Sequence, residues 1–100
     1  MAKKVLLTKS AAIDYENIID YLINDWSIEV ALNFAERFDE VLISLSVEPG
    51  RFPYFDKIKQ VQRCIVTKHN ILYFQETADF VKVITVFDTR QNPERLTSFI

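Results

Sequence analysis

Residues 61–87 read VQRCIVTKHNILYFQETADFVKVITVF, and this stretch decides the fold. Val61 to Thr67, Ile71 to Gln75 and Phe80 to Phe87 are rich in β-branched and aromatic residues, the composition of strands. Lys68-His69-Asn70 and Thr77-Ala78-Asp79 are polar interruptions of turn length. Three strands joined so closely make an antiparallel meander. The last strand runs out at Asp88-Thr89-Arg90-Gln91-Asn92-Pro93, where Asn92-Pro93 is a breaker. An arginine just past a buried strand is held by a rigid element, so Arg90 can present a fixed cation to a phosphate or carboxylate.

Upstream the period changes. Lys4 to Leu7 reads as a short first strand, and Thr8 or Ser10 offers an N-cap. Ala12, Tyr15, Ile19, Leu22 and Trp26 then recur at spacings of three and four, one face of a helix. Ser27 is a second N-cap, with Glu29 well placed in the first turn. Ala31, Phe34, Phe38, Val41, Leu42 and Leu45 form the next helical stripe, and Pro49-Gly50 ends it. Helices parted only by the stretch around Asp25-Trp26-Ser27 fold back as an antiparallel hairpin. Arg51 to Phe55 is an aromatic link into the sheet. The order β-α-α-β-β-β implies an α+β fold: one domain over residues 1–100, with an N-terminal helical hairpin packed on a small antiparallel sheet.

Composition bounds the function. The 49% hydrophobic content excludes a disordered tail. No apolar run approaches the ~20 residues of a membrane span. Met1-Ala2-Lys3-Lys4 begins no long apolar leader, and a lone Cys64 forms no internal disulfide, so the expected location is the cytoplasm, with no membrane partner. Mid-strand, Cys64 is expected in the core, not in catalysis. One His and one Cys make no ordinary zinc site. One glycine makes no phosphate-cradling loop, and no Gly-x-Ser-x-Gly elbow occurs. No metal and no cofactor is expected.

What remains is cationic. Residues 1–50 hold nine acids against four bases, a balance of −5; residues 51–100 hold eight bases against five acids, a balance of +3. The pI near 5.3 argues against a general nucleic-acid coat but leaves room for a local basic site. Lys57, Lys59, Arg63, Lys68, His69 and Arg90 fall around the sheet and are the candidate target-binding set. Such a set could cleave RNA without metal: Lys57 or Lys59 as base, Arg63 and Arg90 on the phosphate, His69 as acid. The acids fall on outer helix faces, where they read as solubilising charge. Apolar residues on both faces of the last two strands, Ile71 to Phe74 and Val81 to Val86, leave one face to be covered by the tail (Leu96, Phe99, Ile100) or by another chain. The short tail favours another chain.

Ile18-Ile19-Asp20-Tyr21-Leu22, Pro49-Gly50-Arg51, Arg63 in the strand after the hairpin, Ile71-Leu72-Tyr73-Phe74 and the closing Val83 to Pro93 together resemble the RelE/ParE superfamily of bacterial toxins. The resemblance covers nearly the whole chain. It implies the toxin of a type II toxin–antitoxin system of the plasmid-stabilisation kind, neutralised by a cognate antitoxin, with Ile71, Tyr73, Val81 and Val83 as antitoxin contacts. It implies one of two targets. The RelE-like branch cuts mRNA on the ribosome without metal. Arg63 and Arg90 fall where that branch has its phosphate-binding arginines, which would make them the catalytic pair, and Lys57 and Lys59 fall near its catalytic lysines. The ParE-like branch inhibits DNA gyrase by protein contact and is no nuclease. The tail Leu96-Thr97-Ser98-Phe99-Ile100 lacks the tyrosine or histidine usual in the RelE-like branch, and the hairpin from Lys9 to Val47 is long. Both features favour the ParE-like, non-enzymatic reading.

Overall fold

A computed structural model of the chain describes residues 2–97 and 100. Strand β1 (Lys4–Leu7) leads to helices α1 (Lys9–Asp25) and α2 (Ile28–Val47), a 3₁₀ turn (Pro49–Arg51), strands β2 (Tyr54–Asp56), β3 (Val61–Thr67), β4 (Asn70–Glu76) and β5 (Phe80–Asp88), and a short helix α3 (Pro93–Thr97). Among the described residues no helix is long and apolar enough to cross a membrane.

The helices form for the reasons their ends show. Thr8, not Ser10, caps α1: its Oγ1 accepts from the Ala11 amide at 3.1 Å. Ser27 Oγ accepts from the Val30 amide at 3.1 Å and opens α2. Pro49 cannot continue the helix and begins the 3₁₀ turn instead. The α2 stripe is buried as its period implies, with Phe34, Phe38, Val41 and Leu45 almost without exposed surface. Trp26 departs from the expected α1 stripe. It is the C-cap residue, its backbone has left helical geometry, and the indole is 67% exposed.

The α+β class and the hairpin-on-sheet packing hold; the sheet itself is larger than expected and mixed. Its order is β1-β5-β4-β3-β2. The meander β3-β4-β5 is antiparallel, while β1 pairs parallel to β5, Val5 opposite Val81 and Leu7 opposite Val83. The meander leaves the outer edge of β5 open, and β1, which precedes the hairpin in the chain, pairs along it. β2 comes from the aromatic link and pairs with β3. Gln62, nearly fully buried, secures that link: its Nε2 donates to the Pro49 carbonyl at 2.8 Å and the Phe52 carbonyl at 3.0 Å.

Two apolar clusters sit on opposite sides of the sheet. On the helix side Phe34, Phe38 and Leu45 meet Cys64, Leu72, Phe74, Val81, Val83 and Val86. On the outward side Val61, Tyr73, Phe87 and Leu96 pack with Ile71, Ile84 and Ile100. Leu96 and Ile100 thus supply tail cover, the alternative that the short tail disfavoured; Phe99 lies outside the described residues. The cover is partial, because Ile65 remains 63% exposed and Phe55 41%.

A register shift in β5 sets Val83 opposite Phe74 and Thr85 opposite Tyr73, so Ile84 is an extra residue. Such a bulge interrupts the ladder and leaves backbone groups to be satisfied elsewhere. The first helix satisfies them. Thr8 Oγ1 donates to the Ile84 carbonyl at 2.8 Å. Asp14 Oδ2 accepts from the Thr85 hydroxyl at 2.6 Å and the Val86 amide at 3.1 Å. Asp14 is therefore no solubilising charge on an outer face. It ties α1 to the bulge.

Candidate functional site

The strands carry the candidate cations to opposite ends of the sheet. Lys57 and Lys59 sit in the turn before Val61, where β3 begins. Lys68 and His69 sit in the turn after Thr67, where β3 ends. Six residue steps separate Val61 from Thr67, about 20 Å at the rise of a strand. Arg90 belongs to the second end. Asp88 is opposite Asn70 in the register, and the Thr89 amide donates to the His69 carbonyl at 2.8 Å.

Arg63 and Arg90 are also turned to different sides. Arg63 is exposed on the outward side of β3, directly opposite Tyr73. Burial raises the Tyr73 phenol above its ordinary pKa, with the Arg63 charge opposing. Arg90 instead lines a cleft of about 410 Å³ between α1 and the exit of β5, with Asp14, Asn17, Tyr21, Asp88 and Arg95. Its guanidinium is clamped by Asp88, Nε to Oδ1 at 3.0 Å and Nη2 to Oδ2 at 2.8 Å. The Arg90 amide also donates to Asp88 Oδ1, at 2.9 Å. The hydrogen bond from the Arg90 side chain holds the Asp88 carboxyl below its usual pKa, against partial burial and with help from the His69 charge. The same bond, with the Asp88 charge, raises the Arg90 pKa. Arg90 is thus placed by the strand end as its position implies, but its bidentate partner is already within the chain.

The four expected antitoxin contacts divide likewise. Val81 and Val83 have no exposed surface and face the helices, so they offer nothing to a partner in this structure. Ile71 and Tyr73 face outward, Ile71 partly exposed and Tyr73 buried against the Phe55 ring at 5.0 Å. The outward positions of β5 include Lys82, Ile84 and, past the bulge, Phe87. Cys64 lies in the core, and burial pushes its thiol pKa up, with Arg37 and Arg51 opposing. A thiol so placed is a packing group. Among the described residues no group of three or more His, Cys, Asp or Glu could hold a metal ion.

The family follows from comparison. Residues 5–93 match the family described as the ParE toxin of the type II toxin–antitoxin system, parDE. The chain belongs to the ParE toxin family. Its fold is similar to a solved chain of the chromosomal ParDE toxin–antitoxin system from P. aeruginosa, with a TM-score of 0.74 over 87% of this chain and 96% of that one, at 15% identity. A search of curated proteins finds no match.

Sequence reasoning missed Ile58, which is 96% exposed, and Asp14 at the bulge. Only Ile58 left a signal: an aliphatic residue between two lysines in a segment with no strand or helix period.

Proposed function

We propose that this ParE-family toxin inhibits DNA gyrase by protein–protein contact and is held inactive by a cognate antitoxin. The observation that carries the reading is the division of the cations. Metal-free RNA cleavage needs base, acid and phosphate-binding groups converging on one phosphorus. Here Lys57 and Lys59 stand at one end of the sheet, Lys68, His69 and Arg90 at the other, and Arg63 and Arg90 on different sides. Spread cations suit a broad protein interface, where arginine is a favoured anchor. Similarity to a chain from a ParDE toxin–antitoxin structure supports the antitoxin. The antitoxin's place is the uncovered part of the outward face, around Ile65, Ile71 and Arg63, where an added segment would bury exposed apolar surface. Val81 and Val83 drop out of that contact set.

The test is purified protein in a gyrase supercoiling assay beside an mRNA cleavage assay on ribosomes. Loss of supercoiling with intact mRNA is expected. Arg63→Ala and Arg90→Ala, each confirmed as folded by circular dichroism, should weaken the inhibition. Cleaved mRNA and untouched gyrase would establish the ribonuclease alternative instead.

A further inference from the structure

The turn from Asp56 to Gln60 presents Ile58 with 96% of its surface exposed. A lone exposed aliphatic is ordinary on a floppy loop. This turn is not floppy. Asp56 Oδ1 accepts from the Lys59 amide at 3.0 Å, and Gln60 Nε2 donates to the Lys57 carbonyl at 2.8 Å. Gln75 Nε2 donates to the Lys59 carbonyl at 2.8 Å, and Lys59 Nζ reaches the Ile100 carbonyl at 2.9 Å. Gln60 itself has φ of 60°, the left-handed region that non-glycine residues seldom occupy. Strain of that kind persists only where surrounding bonds enforce it. A pinned turn has little conformational freedom left to lose on binding, so its tip is pre-organised as an anchor. Around the tip, Tyr54 and Phe55 are each more than 40% exposed, and Lys57, Lys59 and Arg63 stand exposed beside them.

The geometry points to Ile58 as the anchor with which this toxin engages its protein target, fitting an aliphatic socket ringed by carboxylates. The inference rests on the proposed mode of action and names the surface and chemistry of the contact. The socket must be apolar because Ile58 can neither hydrogen-bond nor stack. Its rim must be acidic because Lys57, Lys59 and Arg63 outweigh the single carboxylate of Asp56, which is turned to the Lys59 amide. Nucleic acid would use the lysines but not the isoleucine. A single aliphatic side chain is also too little apolar surface for stable membrane attachment.

The experiment measures binding of purified DNA gyrase to the full chain by biolayer interferometry, together with supercoiling inhibition. Ile58→Asp should lower affinity about thirty-fold or more, the scale of an interface hot spot. Its melting temperature should stay within about 2 °C of the parent, because an exposed tip contributes little to the core. Ile58→Leu should keep affinity within about three-fold, as a volume-conserving change. Lys57→Glu should slow association and lose the salt dependence of the rate. An Ile58→Asp variant that binds and inhibits gyrase like the parent overturns the inference and leaves the proposed function standing. A parent chain that neither binds nor inhibits gyrase removes the proposed function, and this inference with it. Ile58-dependent binding to a 30-nucleotide RNA, to phosphatidylglycerol vesicles or to a second copy of the chain, without such dependence for gyrase, would overturn the protein socket.

Discussion

The two faces of the sheet are made by the same strands and do opposite work. Beneath the helices, Phe74, Leu72, Val81 and Val83 have no exposed surface, and two helices close over them. On the outward side, among the described residues, a five-residue helix and Ile100 cover part of the sheet, and Ile65, Phe55 and Arg63 remain exposed. One face is spent on stability, and the other keeps apolar surface that can still be buried by a partner. For a toxin that must meet both a target and an antitoxin, that division lets recognition surface change without disturbing the core.

Truncation on the two faces should break or confirm this contrast most strongly. Phe74→Ala removes a fully buried ring that meets Phe52 edge-on at 5.9 Å, and should cost ~3–5 kcal/mol in urea unfolding. That is a large fraction of the ~5–15 kcal/mol available to a small domain. Ile65→Ala should change stability by less than ~0.5 kcal/mol and instead weaken antitoxin binding. Comparable losses of stability from both would mean that the outward face is as much a core as the other.

The contrast also marks how far sequence reading reaches. The α2 stripe from Ala31 to Leu45 was legible because a helical period identifies both the element and its buried side. The meander was legible because β-branched runs were separated by short polar turns. Strand alternation groups Val81 with Val83, and Lys82 with Ile84, but does not say which pair the helices cover. Sequence alone therefore leaves open whether the valines or Lys82 and Ile84 face a partner. The parallel pairing of β1 with β5 depends on contacts some 76 residues apart along the chain, with no local signature. At the site, Arg63 and Arg90 were found by residue type and strand position. Their separation required the three-dimensional register; a surface pairing of Arg90 with Asp88 or Glu94 was legible from their closeness in sequence, and the choice of Asp88 required the turn geometry after β5.

Asp14 tests a second aspect of the contrast, since the sealed face depends on α1 being tied to the bulge. Asp14→Ala leaves the Thr85 hydroxyl, on a residue only 1% exposed, and the Val86 amide without their shared acceptor. A buried donor left unpaired costs ~1–3 kcal/mol, so destabilisation of ~2–3 kcal/mol is expected for the pair. Asp20→Ala, on the exposed side of the same helix, should stay within ~0.5 kcal/mol. Hydrogen exchange supplies the local readout: the Val86 amide should lose protection in Asp14→Ala and keep it in Asp20→Ala. Equal, small effects from the two substitutions would reduce Asp14 to the surface charge its helix position first implied.

The smallest effect is expected where the outer surface meets the sheet end, at Asp88 and Arg90. The folded-state pKa of Asp88 lies below its unfolded value of about 3.9, because the Arg90 guanidinium donates to the carboxylate. A depressed carboxylate contributes stability that is fully present above the unfolded pKa and is lost as pH falls through the folded one. The contribution should therefore be constant from neutrality down to about pH 5 and decline only in more acidic solution. The pair is on the surface, so the melting temperature should hardly register the change. The local structure should register it, because the same carboxylate also accepts from the Arg90 amide and shapes the turn that leads into α3. Carbon-detected titration of the Asp88 carboxyl should give a midpoint below 3.9, with the Arg90 Nε–H resonance moving through the same transition. In Asp88→Asn, whose amide oxygen can still accept but cannot titrate, that resonance should no longer move with acid pH. A midpoint at or above that of a free aspartate would mean that Arg90 is not held by Asp88 in solution. The arginine would then be free to swing from the α1 cleft, and the placement of the two arginines on different sides would lose its structural basis.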